Sequence, residues 1–365
     1  MTRSKSFTKL KTEQNLKEID QVLATAGLVR NRRTTAAGIT ARLRRLRKDP
    51  ASKEELTGAM PLAGKAPNGV YLLQIQAWME NKQLKSWLWH GFSTRRGGVS
   101  RAYCAEGAPG ELNLGFTAAD SREAVERNRR LLADAVTGSA ETPIVALRQF
   151  HSNLVVVADA GDARRERLRK ADGVISAVPG VLVAIQTADC IPVLVADRRR
   201  RVVAAFHAGW RGTVKRIVEL GVGRMRLEFG CRPEDLVAAI GPGVGQCCYA
   251  VGEEVLSEFE SQFGYARELF REVFDSDPVR TRYPMLFLTQ RAPGHSPIGP
   301  QLHLDLIEAN RRQLLDAGLA ASAIGTTGGC TSCQTEMFFS HRASQGHAGR
   351  MMSVIGIKQG SGKRI

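Results

Sequence analysis

Residues 182–212, LVAIQTADCIPVLVADRRRRVVAAFHAGWRG, limit what this chain can fold into more than any other stretch. Two apolar runs, 182–185 and 193–195, flank a polar turn that carries Asp189 and Cys190. A third run, 202–206, delivers His207 and then the small-residue turn Ala208-Gly209-Trp210-Arg211-Gly212. Short β-branched runs broken by polar turns read as buried strands, not as helices. A thiol and an imidazole therefore stand at the ends of neighbouring strands, on scaffolding that can hold them rigidly. Upstream, Arg148-Gln149-Phe150-His151 places a second imidazole before another apolar run at 154–157. Two imidazoles and a thiolate are the donor set of a catalytic zinc site with its fourth position open. The same Cys190 also reads as a small buried hydrophobe, and the separations between the three match no short-range metal motif.

The rest of the chain reads as alternating strands and helices. Strand-rich sequence begins near Val70, and apolar strands are expected at 236–240 and 351–357. Helices are expected at 121–135, 213–229, 253–263 and 305–317. The first has Asp120 as its N-cap, with Glu123 at the capping-box position. The second is expected to bury Val214, Ile217, Val218, Met225 and Leu227. Thr94-Arg95-Arg96-Gly97-Gly98-Val99-Ser100 sets glycines beside guanidinium groups, a pattern that suits either an anion or an ordinary hairpin turn. Cys330 and Cys333 form a single CxxC. A structural zinc would need a second pair of ligands, and His341 and His347 stand at poor spacing for it. These two are read as buried thiols near a site.

Composition narrows the class. In 365 residues, 43% of them hydrophobic, there is no run long enough for a membrane span. The start lacks the apolar stretch of a signal peptide, and an odd seven cysteines do not look like a disulfide framework. A reduced, cytoplasmic enzyme is the expectation. The net charge of +16 is concentrated, since residues 1–55 hold 14 Lys and Arg against 6 Asp and Glu. Residues 1–68 are thus read as a basic, partly helical or disordered extension, and 69–365 as the catalytic domain. Nucleic acid is expected to bind at most weakly, through that arm.

Several motifs together resemble one family, the YfiH-like or laccase-domain proteins, also called multicopper polyphenol oxidases and, in bacteria, peptidoglycan editing factors. They include Ser93-Thr94-Arg95-Arg96-Gly97-Gly98, Leu112-Asn113-Leu114-Gly115, Gln149-Phe150-His151, Thr187-Ala188-Asp189-Cys190, His207-Ala208-Gly209-Trp210-Arg211-Gly212, Cys247-Cys248-Tyr249 and Phe338-Phe339-Ser340-His341-Arg342. The set runs in family order over roughly residues 86–357. Phe150 before His151, and Ala250 where an acidic residue is frequent, depart from the pattern.

The resemblance implies an α/β (α+β) domain of layered β-sheets sandwiched between helices. It implies zinc on His151, Cys190 and His207, with Cu²⁺ as another fitting ion. The implied activity is phosphorolysis of adenosine, inosine and methylthioadenosine, together with adenosine deamination. Cys190, His207 and Asp189 are the catalytic candidates. Arg95, Asn113 and Arg342 are the candidates for binding substrate and phosphate, in a monomer or small homo-oligomer. Two other readings of the site are a cysteine hydrolase acting on peptidoglycan precursors and a copper polyphenol oxidase. The latter is disfavoured by seven histidines in all, with no His-x-His pair.

Overall fold

The strands expected around the central stretch form, and each runs longer than its apolar core. A computed structural model of the chain describes residues 63–159, 161–162, 169–273 and 301–359. The basic extension lies, up to residue 62, outside the described residues. Leu182–Thr187, Ile191–Asp197, Val203–Ala208, Leu236–Ile240 and Met351–Ile357 are strands almost wholly buried along their length. Burial on both faces explains why their sequences are continuous apolar runs without polar alternation.

These strands belong to two six-stranded sheets. In the first, Met351–Ile357 lies between Leu88–Ser93 and Leu182–Thr187, antiparallel to both. In the second, Ile191–Asp197 lies between Leu236–Ile240 and Val203–Ala208, again antiparallel. Gly173–Ser176 pairs on the far side of Val203–Ala208, and Val155–Val157 runs parallel beyond it. A three-stranded sheet of 250–251, 270–273 and 301–304 stands apart.

The period-two alternation of strand side chains sorts the core into layers. Leu194, Ala196, Val203 and Ala205 of the second sheet pack with Phe92, Val183, Ile185 and Ile355 of the first. Their neighbours Val193, Val195, Ala204 and Phe206 point the other way, onto Val214, Ile217, Val218, Met225, Leu306 and Leu314 of the helices. The outer face of the first sheet, Leu182, Ala184, Met352 and Val354, is covered by Leu132 of the helix Arg122–Thr137. The result is helix, sheet, sheet, helix, as the expected layered α/β fold requires.

Three local readings change. Ser121, not Asp120, caps the helix Arg122–Thr137, accepting from Ala124 N–H at 3.1 Å. The Asp120 carboxylate accepts instead from Asn113 Nδ2 at 2.7 Å. The helix expected at 213–229 is two helices, Trp210–Val214 and Ile217–Phe229. They are separated by Arg216 in a left-handed conformation, φ 58°. Its guanidinium lies over the Phe263 ring and donates to Gln262 O, which holds the break in place. Leu227 is 87% exposed and not on the buried face.

Candidate active site

Two loops and a strand end bring His151, Cys190 and His207 together at one end of the second sheet. His207 is the penultimate residue of its strand and pairs with Pro192, while Ala208 pairs with Ile191. Cys190 comes one residue before that last pair, so the antiparallel register alone sets the thiol near the end of the His207 strand. His151 arrives from the loop ahead of Val155–Val157. Its Nε2 is 3.7 Å from Cys190 Sγ, and its ring centroid is 5.0 Å from that of His207. The three donor atoms all lie within 4.8 Å of one another.

The group that holds the two histidines is Asp172, 0% exposed, which nothing in the sequence spacing singled out. Its carboxylate accepts from His207 Nδ1 at 2.8 Å and from the Ser152 hydroxyl at 2.7 Å. It also accepts from the backbone N–H groups of Phe150, His151 and Ser152. Three consecutive amides converging on one carboxylate explain how His151 sustains a left-handed backbone, φ 60°. A carboxylate behind a histidine fixes its tautomer, leaving Nε2 to face the site.

The charges follow from these contacts. Burial works against ionising Asp172, but hydrogen bonds from His207 and Ser152 outweigh it and hold the carboxyl down at about 2. Burial likewise disfavours a Cys190 thiolate, yet the His207 and His151 rings bring the thiol down to about 6. His207 is pushed up to about 9 against its own burial, by the Cys190 charge and the Asp172 hydrogen bond. A thiolate between two imidazoles, one backed by a carboxylate, is a set of donors suited to a divalent borderline ion. Gly209 makes room for it, since a Cβ there would fall 2.9 Å from Cys190 Sγ and 3.0 Å from His151 Cδ2.

The trio opens into a cavity of about 510 Å³. Trp210 and Tyr249 supply aromatic rings to its wall, and Arg211, Arg342, Arg350 and His341 supply cationic or basic groups. Asp189 is the one carboxylate among the lining residues, and both its oxygens are engaged. Thr331 Oγ1 donates to Oδ1 and Arg342 N–H to Oδ2, each at 2.6 Å. Its backbone is also left-handed, φ 92°. Arg342 spreads over the Tyr249 ring and donates to Ala250 O at 2.8 Å.

Two candidates lie elsewhere. Arg95 pairs with Glu111 at 2.6 Å and stacks on Phe339, away from the cavity lining. The glycines beside it approach the chain's own backbone, because a Cβ at Gly98 would fall 2.3 Å from Glu111 O. That close approach serves the packing of the chain on itself. Asn113 is fully buried, its Oδ1 accepting from the N–H groups of Gly115 and Arg350. Phe338 and Phe339 fill the core between the sheets. Arg211 and Arg350 carry no sign of the cavity in the sequence, since one follows Trp210 at a helix start and the other precedes the strand Met351–Ile357.

The layered fold and this cluster define a member of a known class. The chain belongs to the family described as "Multi-copper polyphenol oxidoreductase laccase", which it matches over residues 89–358. It is 34% identical over 273 residues to a purine nucleoside phosphorylase of Bacteroides thetaiotaomicron, spanning 73% of this chain and 91% of that protein. It is 31% identical over 270 residues to adenosine deaminase RL5 of an unknown prokaryotic organism, spanning 72% of this chain and 92% of that protein. The crystal structure of the Bacillus licheniformis hypothetical protein YfiH is similar with a TM-score of 0.63 at 29% identity, covering 81% of this chain and 97% of that one. Among the described residues, no helix is long and apolar enough to cross a membrane.

Proposed function

We propose that the chain is a metal-dependent purine nucleoside phosphorylase that also deaminates adenosine, with one Zn²⁺ held by His151, Cys190 and His207. The observation that carries this reading is the convergence of those three donors on the cavity, with Asp172 behind His207. The relatives named purine nucleoside phosphorylase and adenosine deaminase supply the class of substrate. A divalent ion, when bound there, would supply Lewis-acid chemistry to a substrate group or a water.

The chain's own residues do the remaining work. Arg342, Arg350 and Arg211 line the cavity and gather positive charge where a phosphate must approach the ribose. Guanidinium forks grip such an anion bidentately. Trp210 and Tyr249 offer ring faces against which a purine stacks. Asp189, with both oxygens engaged, acts as a positioning residue that holds the Arg342 backbone at the cavity wall.

One observation favours a second reading. Cys190, His207 and Asp172 also stand in the order thiol, imidazole, carboxylate of a nucleophilic triad, as a cysteine hydrolase acting on peptidoglycan precursors would require. His151 against the same thiol favours the ligand set, since it occupies a face a nucleophile would need open. A copper polyphenol oxidase fits least, because His151, Cys190 and His207 can hold one ion, whereas a multicopper centre needs several imidazole sets and the described residues bring together no other histidines as a ligand group.

The test is a product assay on the zinc-loaded chain with adenosine. Adenine with ribose 1-phosphate should appear only when phosphate is present, inosine should appear without it, and both should stop on chelation. Adenosine left unchanged by zinc-loaded, folded protein sinks the proposal; amide hydrolysis that survives chelation selects the cysteine hydrolase.

A further inference from the structure

Leu236–Ile240 and Ile324–Thr326 are parallel neighbours at the edge of the second sheet, so the chain leaves both strands in the same direction. The two loops that follow stay together, with Thr331 N–H donating to Gly243 O at 2.9 Å. One loop carries Cys247 and Cys248, and the other carries Cys330 and Cys333. The CxxC that had no second ligand pair in sequence acquires one through this juxtaposition, and Cys333 is exposed where the sequence suggested a buried thiol.

The four Sγ atoms all lie within 4.8 Å of one another. Cys333 Sγ is 3.5 Å from that of Cys247 and 3.3 Å from that of Cys248. All four are free thiols. A zinc ion bound at about 2.3 Å by four tetrahedral sulfurs sets those sulfurs about 3.8 Å apart, whereas a disulfide needs about 2.05 Å. The observed separations suit the ion.

Two backbone features prepare the same place. Gly245 N–H donates to Cys330 Sγ at 3.2 Å, a contact that favours a thiolate acceptor. A side chain at Gly245 would intrude, its Cβ falling 3.1 Å from Cys330 Cβ and 3.2 Å from Cys247 Sγ. None of the four cysteines lines the active-site cavity. Four sulfurs with no open position are the donor set of a structural site, in contrast to the three donors of the catalytic candidate.

We propose that Cys247, Cys248, Cys330 and Cys333 bind one Zn²⁺ in an all-thiolate site that clamps the two loops together. The clamp bears on the cavity from behind. Tyr249, next to Cys248, forms part of its wall, and Thr331, next to Cys330, holds Asp189 through its hydroxyl.

The test uses full-length protein made without a chelating tag and kept reduced. A variant carrying His151→Ala, Cys190→Ala and His207→Ala should retain about one zinc per chain. Loaded with Co²⁺, it should show the strong sulfur-to-metal charge-transfer absorption of a thiolate site. Adding Cys333→Ser, at an exposed position the fold should tolerate, should remove that band and release the zinc, while circular dichroism stays that of a folded protein. The proposal is overturned if the triple variant, folded and reduced, holds no zinc and shows no such band. It is equally overturned if zinc stays bound after both Cys330→Ser and Cys333→Ser, or if mass spectrometry finds Cys333 joined to Cys247 or Cys248 in the protein as isolated, before any reductant is added.

Discussion

Two histidines are buried almost equally in the two sheets, and they meet opposite fates. His207, 4% exposed, stands at the end of the second sheet, and His90, 3% exposed, stands within the first. His90 accepts the Ile75 N–H through Nε2 at 3.0 Å and packs against Trp78, and burial lowers its pKa to about 4. His207 has the Asp172 carboxylate on one nitrogen and the Cys190 thiol towards the other, and its pKa rises to about 9. Burial alone keeps an imidazole neutral and structural. A buried carboxylate and a second ionisable partner are what reverse that shift at His207.

The comparison can be broken most severely at Gly209. Gly209→Ala drives a methyl between Cys190 and His151, and displacement of that order should cost on the order of a hundredfold or more in kcat/KM for adenosine phosphorolysis. Zinc bound to the cysteine cluster should be unaffected. A variant with normal turnover would show that the donors need no such close approach.

His90 supplies the next effect, in stability. Between pH 6.5 and about 4 the unfolded chain takes up a proton that folded His90 refuses. Stability therefore falls as pH is lowered through that window, by at most about 3 kcal/mol. His90→Gln, which can still accept from Ile75, should flatten this part of the curve. Urea melts at a series of pH values measure it, and parallel curves for the two proteins would contradict the assignment.

Asp172→Asn asks whether His207 becomes a histidine of the His90 kind once its carboxylate is neutral. Turnover and zinc affinity at the three-donor site should drop roughly 10- to 100-fold, as is usual when the hydrogen-bond partner of a ligand is lost. Unchanged metal titration and kinetics would remove Asp172 from the site. Arg342→Ala should show the smallest change, about tenfold on phosphorolysis, because Arg211 and Arg350 share the cavity wall. Deamination, which needs no phosphate, should hardly move; equal losses in both reactions would make Arg342 a general wall residue.

How much of this was legible depended on whether the signal was local. The strands at 182–187, 191–197 and 351–357 announce themselves as apolar runs because both of their faces are buried. His151, Cys190 and His207 could be proposed as donors since each follows or precedes such a run. Asp172 could not, because a lone acid between Ala171 and Gly173 says nothing of the three amides that converge on it. The one available hint was an acidic residue set directly before the strand Gly173–Ser176. The pairing of Cys247 and Cys248 with Cys330 and Cys333 was equally hidden, for it depends on two parallel strands far apart in sequence. The place of Arg95 was not legible either, because glycines that admit an anion look the same in sequence as glycines that admit the chain's own backbone.

The antiparallel register of Ile191–Asp197 against Val203–Ala208 has a consequence for how such a chain can change over generations. His207 shares the face of Val203 and Ala205, between the sheets, while Phe206 belongs to the helix side. A strand that slips by one residue exchanges those faces, so it would send the imidazole into the helix layer and a phenyl ring towards the cavity. Deletions or insertions inside either strand are therefore barred. The turn that joins the strands, built from Arg198, Arg199, Arg200 and Arg201, lies at the opposite end and is largely exposed. Length variation has one outlet in this hairpin, and it is at the tip farthest from the chemistry.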